Sequence, residues 1–177
     1  MNPGMDSEVF DQFIDQLRRY VRERLIPAEA QVIAEDRIPE DILKEMREMG
    51  LFGLSVPEEY GGAGLNMTQY ARVVNIMAYA APAYRSIFSI NVGMFASALK
   101  NGATEAQKAE WYPKIAEGRI ACFGLTEPGS GSDSAGLQTT ATPDPDGNGW
   151  ILNGTKRYIT NAPHADVALI MARTNKE

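Results

Sequence analysis

Val9, Phe10, Phe13, Ile14, Leu17, Tyr20, Val21 and Leu25 recur at steps of three and four residues. That spacing puts them on one face of an α-helix, with Asp6 or Ser7 as N-cap. Pro27 is expected to kink or end this helix. A second helix fits Glu40 to Met49, with Pro39 suited to its first position and Gly50 to a left-handed stop. Leu51 to Leu65 loses all periodicity under Pro57, Gly61, Gly62 and Gly64. Helices are predicted again over Thr68 to Ala80 and, after an interruption at Pro82, over Tyr84 to Lys100. Gly102 reads as a turn. Thr104 then opens a further helix, with Gln107 completing a capping box. Pro113 falls inside or at the end of that helix, and Gly118 closes the segment.

Beyond Gly118 the pattern changes to short runs: Thr139 to Thr142, Trp150 to Leu152, Tyr158 to Thr160 and Val167 to Met171. Asp146-Gly147, Asn148-Gly149 and Asn153-Gly154 supply turn chemistry between them. The fold class is therefore α+β. A helical part, residues 1–118, passes into an antiparallel β part, residues 119–177. A few open strands leave unpaired edges that need covering, so the chain reads as cut short.

Composition narrows the chemistry. Hydrophobic residues make up 44% and charged residues 23% of the 177, an ordinary globular balance. The net charge of −6 gives no support to a nucleic-acid partner. One cysteine and one histidine, without CxxC or HExxH spacing, predict neither a disulfide framework nor a metal site. No apolar run is long enough to span a bilayer. Met1 to Phe10 lacks a basic region followed by an apolar core, so no membrane association and a cytoplasmic location are expected. Cys122 reads as a buried small residue and His164 as a solvent-facing loop residue. Arg18, Arg19, Arg22 and Arg24 read as a solvated helix face. Met46, Met49, Met77 and Met94 read as core fillers, and Trp111 and Trp150 as packing residues at junctions.

The densest chemistry lies at Leu125-Thr126-Glu127-Pro128-Gly129-Ser130-Gly131-Ser132-Asp133. Glycines let backbone approach a ligand, and successive amides can cradle a diphosphate. On composition alone the signal is weak and a flexible connector is the favoured reading. Ser134 stands where a third glycine of a dinucleotide fingerprint belongs, no βαβ unit follows, and there is no P-loop.

The stretch Phe123 to Asp133 resembles the signature of the acyl-CoA dehydrogenase family. Three further segments agree in order: Gly50 to Gly62, Gly102 to Lys108 with Trp111-Tyr112-Pro113, and Asn153 to Asn161. Together they cover almost the whole chain. The resemblance implies a helical domain followed by the start of a middle β-barrel domain. It implies FAD as cofactor and oxidation of an acyl-CoA thioester to the trans-2-enoyl-CoA. It also implies an electron-transfer flavoprotein as electron acceptor and a homo-oligomer.

Carried over residue by residue, Phe123, Leu125, Thr126, Gly131 and Ser132 line the flavin, and Ser132 also lies near the substrate's pantetheine arm. Tyr158, Ile159 and Thr160 pack on the isoalloxazine, Tyr158 standing where many relatives have tryptophan. Ile90 to Met94 border the acyl tail. The family's catalytic glutamate belongs to a region that nothing here aligns with, so no catalytic base is assigned and Glu127 reads as structural. The isolated chain is expected to hold flavin weakly and to be catalytically silent. Two other functions stay open. One is an acyl-CoA oxidase or flavin monooxygenase on the same fold. The other is a non-catalytic interaction module or half of a split flavoprotein.

Overall fold

The computed structural model describes residues 3–147 and 149–175. Asp6 caps the first helix, its carboxylate accepting from the Glu8 and Val9 amides at 3.0 and 3.2 Å. This satisfies donors that the first turn leaves without partners. Helix α1 (Ser7–Tyr20) buries Phe10, Ile14 and Leu17. Of the two outcomes expected at Pro27, a kink or an end, the end does not occur, and the helical path continues past it. A π-helical turn, Val21–Leu25, carries the chain directly into α2 (Ile26–Glu35). Proline lacks an N–H and crowds the carbonyl one turn back. The wider turn sends the Ile26 N–H to the Val21 carbonyl and leaves Pro27 in the first turn of α2, where proline's fixed backbone angle suits a helix.

Helix α3 (Glu40–Glu48) is preceded by Pro39 as its cap rather than as its first residue, and Gly50 takes the expected left-handed stop at φ 70°. The 51–65 segment is irregular, as predicted, and its first part is core, while Glu58, Glu59 and Gly61 are exposed. Leu51, Phe52, Leu54 and Val56 are fully buried. Its backbone satisfies itself, with the Ala63, Gly64 and Leu65 amides donating to the carbonyls of Gly53, Val56 and Leu54. A loop can be buried when its polar groups are paired in this way. Gly62 packs so closely on the Val56 backbone that a Cβ there would collide with it.

Asn66 and Gln69 form a capping box that starts α4 (Met67–Met77). Pro82 begins α5 (Pro82–Ser89) rather than interrupting a helix. A second π-helical stretch, Ile90–Phe95, joins α5 to α6 (Ala96–Gly102), so Gly102 ends a helix. The expected Thr104–Gln107 capping box starts α7 (Glu105–Ala116), and Pro113 lies inside it. Phe10, Leu17, Phe52, Met77, Tyr84 and Phe88 belong to one core among α1 to α5. Val56, Phe95, Leu99, Tyr112, Ile115 and Ala121 form a second that reaches the first strand.

The strands depart further from expectation. Strand β1 (Ala121–Gly124) was not foreseen, and it pairs in parallel with β4 (Val167–Ile170), Ala121 opposite Val167. Strands β2 (Thr140–Pro143) and β3 (Trp150–Asn153) form an antiparallel pair. Asn148 of the turn between them lies outside the described residues. Tyr158 to Thr160 is not a strand, because Tyr158 has φ 58°. The antiparallel expectation thus holds for one pair of two, and the described residues contain two two-stranded sheets without a closed barrel. The parallel pair is possible because the 42 residues from 125 to 166 give the long crossover it needs.

Several side chains also fall elsewhere. Met46 and Met77 are buried, but Met94 is exposed. Trp150 is exposed, along with Ile151 and Leu152, whereas Trp111 packs edge-on to Phe95. Arg18, Arg19 and Arg22 face solvent as expected, but Arg24 bridges to Asp41 and Glu45 on α3.

Candidate functional site

Strand β1 is fastened to the helical part by Asn91, which is fully buried in the π-helical stretch. Its Oδ1 accepts from the Ala121 amide at 2.8 Å, and its Nδ2 donates to the Arg119 carbonyl at 2.6 Å. Asp166 aligns the starts of β1 and β4. Its carboxylate accepts from the Ile120 amide and from Arg119, and the amide bond above all holds its pKa low. The strand then delivers Leu125 to Ser132 at the end of the sheet. Glu127 and Ser130 exchange both backbone hydrogen bonds, so Pro128 and Gly129 form an exposed tight turn. Gly131 and Ser132 follow on the exposed side of it. Among the described residues the Gly129, Gly131 and Ser132 amides donate to no protein acceptor. The positions of Gly129 and Gly131 open onto free space.

The second segment, Lys156 to Asn161, is joined to the first by three bonds. The Arg157 amide donates to the Thr126 carbonyl at 2.8 Å. The Lys156 ammonium donates to the Leu125 carbonyl at 3.0 Å and to Glu127 Oε1 at 2.7 Å. Gly124 leaves room for the Lys156 stem, whose Cγ lies 3.3 Å from where a Cβ would stand. At its far end Asn161, in the left-handed region at φ 69°, donates to the carbonyls of Ile87 and Ala121. The whole segment is thereby anchored on both α5 and β1.

Residues 7–119 match the family model described as acyl-CoA dehydrogenase, N-terminal domain, and residues 122–177 match its middle domain. The chain belongs to the acyl-CoA dehydrogenase family. It is 35% identical over 170 residues to the short-chain specific acyl-CoA dehydrogenase, mitochondrial, of Sus scrofa, a match covering 96% of this chain and 41% of that one. The fold superposes on butyryl-CoA dehydrogenase from Megasphaera elsdenii with a TM-score of 0.86 at 29% identity, over 99% of this chain and 46% of that one. A glutaryl-CoA dehydrogenase from Mycobacterium smegmatis, solved in complex with FADH2, gives 0.85 at 34% identity over 97% and 44%. The chain thus spans less than half the length of these relatives.

Within this acyl-CoA dehydrogenase scaffold, Phe123, Leu125, Thr126 and Ile159 are half-buried, while Gly131, Ser132, Tyr158 and Thr160 are exposed. The 125–127 and 156–158 segments are in direct contact. Tyr158 is 78% exposed, with the Arg157 guanidinium 4.6 Å from its ring centre. An open groove of about 1120 Å³ lies elsewhere, between the 55–68 loop and α6 and α7, and contains none of these residues. Cys122 is buried, and burial pushes its thiol pKa up, which disfavours the nucleophilic thiolate. His164 is exposed in a short 3-10 turn. No group of three or more His, Cys, Asp or Glu among the described residues is placed to hold a metal. No described helix is long and apolar enough to cross a membrane.

Sequence reasoning missed Lys156, Asn161, Asn91 and Asp166 as organisers. The one usable signal was Asn161, since asparagine is among the few residues suited to a left-handed backbone.

Glu127 is consumed by its surroundings. Its carboxylate accepts from Lys156, from the Thr139 amide and hydroxyl, and from the Gln138 amide. These bonds, Lys156 first, hold its pKa down to about 2. A folded-state value below the ordinary 4.5 adds stability that is complete above 4.5 and is lost as pH falls toward 2. Urea midpoints are therefore expected to fall between about pH 4.5 and 2. Glu127→Gln should remove that part of the slope. An unchanged slope in this variant would show that the carboxylate is not the titrating group.

Proposed function

We propose that this chain supplies the flavin-seating half of an FAD-dependent acyl-CoA dehydrogenase. The observation that carries it is the Thr126–Arg157 bond, which joins the two segments whose residues match the family's flavin motifs. Thr126, with Phe123 and Leu125, borders the isoalloxazine on one side. Tyr158, Ile159 and Thr160 border it on the other. The uncommitted amides of Gly131 and Ser132 suit the diphosphate, because oriented N–H groups attract anions without a positive side chain. Bound FAD supplies a hydride acceptor for the substrate β-carbon. The acyl-CoA thioester lies along Ser132, with its tail toward Ile90 to Met94.

Removal of the α-proton needs a free carboxylate. Glu127 is fully engaged, Asp166 is paired with Arg119, and Asp133 accepts from the Gly136 amide. By the family resemblance no residue of this chain aligns with the base, so the base is placed outside it and the chain alone is expected to be silent. Electron-transfer flavoprotein as acceptor, a homo-oligomeric assembly and a cytoplasmic location belong to the same proposal. The test is dye reduction with acyl-CoAs of several lengths, together with an FAD titration. FAD binding weakened about ten-fold or more by Thr126→Val, without turnover, is expected, which corresponds to losing about 1.4 kcal/mol. Turnover by the isolated chain would place a base within it.

A further inference from the structure

The Glu127–Lys156 ion pair is costly where it stands. Its side chains are only 6% and 9% exposed, and every described bond they make is internal. Buried pairs seldom stabilise a fold better than apolar residues of the same size, and their best-attested benefit is a defined geometry. Here the geometry has an evident object. Glu127 follows Thr126 directly, and its carboxylate gathers the 138–139 backbone into the same knot. Lys156 lies two residues before Tyr158, and its ammonium also takes the Leu125 carbonyl. Through Gly124 the lysine stem passes close to β1 in a space that a side chain would fill. The pair therefore sits behind both segments proposed to face the flavin and touches the backbone of one of them.

We propose that the Glu127–Lys156 pair is a positioning device that fixes the spacing between the 125–127 and 156–160 segments, and that FAD affinity depends on it through that spacing. This rests on the flavin site proposed above. The pair is not catalytic. It acts on the cofactor only through Leu125, Thr126 and Tyr158.

A double substitution separates positioning from stability. Glu127→Gln or Lys156→Met alone leaves one charge buried without its partner, so each is expected to lower the thermal midpoint and weaken FAD binding. The double variant Glu127→Gln/Lys156→Met buries no unpaired charge, so its midpoint should lie above that of either single variant, although the Leu125 carbonyl and one of the Gln138 and Thr139 amides lose a partner. Its FAD dissociation constant, read by titrating amide NMR shifts of the purified protein, should stay at least about ten-fold higher, the size of one lost neutral hydrogen bond or more. A double variant that binds FAD as tightly as the unaltered protein would make the pair structural only and overturn the proposal. Absence of any FAD response in the unaltered protein is a different result. It would remove the flavin site itself, and this proposal with it.

Discussion

Asn91→Leu is expected to be among the most damaging single changes in the chain. The substitution nearly conserves volume, so packing alone predicts little loss. It deletes, however, the bonds to the Ala121 amide and the Arg119 carbonyl, at a residue with 0% exposure. Each buried backbone group left without a partner costs roughly 1–3 kcal/mol, for a sum of about 4 kcal/mol. That is a large share of the roughly 5–15 kcal/mol that holds an ordinary domain together. The effect should also be local, with amide exchange in β1 and β4 accelerating more than in α1. Urea unfolding checks the magnitude, and a loss below about 1 kcal/mol would mean that water or a neighbour replaces the amide.

The second large effect is expected from Phe52→Ala. Phe52 is fully buried in the main core, although it sits in the irregular 51–65 segment. That segment is knotted by its own backbone bonds, the Ala63, Gly64 and Leu65 amides donating to the Gly53, Val56 and Leu54 carbonyls, so it cannot easily collapse into the space left behind. A rigid wall around a cavity puts the cost at the upper end of the usual range for phenylalanine, about 3–5 kcal/mol. Truncating the exposed Met94 should change stability by no more than about 0.5 kcal/mol. Equal effects at the two positions would contradict the burial of the loop.

What the sequence made legible follows from which signals are local. Helix starts at Asp6 and Thr104 were visible because a capping side chain bonds to amides two or three residues away. The left-handed stop at Gly50 is a property of one residue. The π-helical turns were not visible, because Val21–Leu25 and Ile90–Phe95 keep an apolar pattern close to that of an α-helix. Strand β1 was hidden for the opposite reason. Its four residues Ala-Cys-Phe-Gly carry no alternation, and it exists through Asn91, Asp166 and β4, contacts tens of residues away in the sequence. Tyr158 to Thr160 has strand composition, but Asn161 and the Arg157–Thr126 bond hold it in another conformation. The candidate site itself was legible as two motifs. The ion pair that joins them was not, since nothing local marks Glu127 and Lys156 as partners.

The most direct measurement is an amide NMR map of the protein titrated with FAD, which registers even weak binding. Shifts concentrated at Phe123 to Ser132 and at Tyr158 to Thr160 are the predicted result. Shifts confined to the groove between the 55–68 loop and α6, with those two segments unmoved, would contradict a flavin seat at the end of β1.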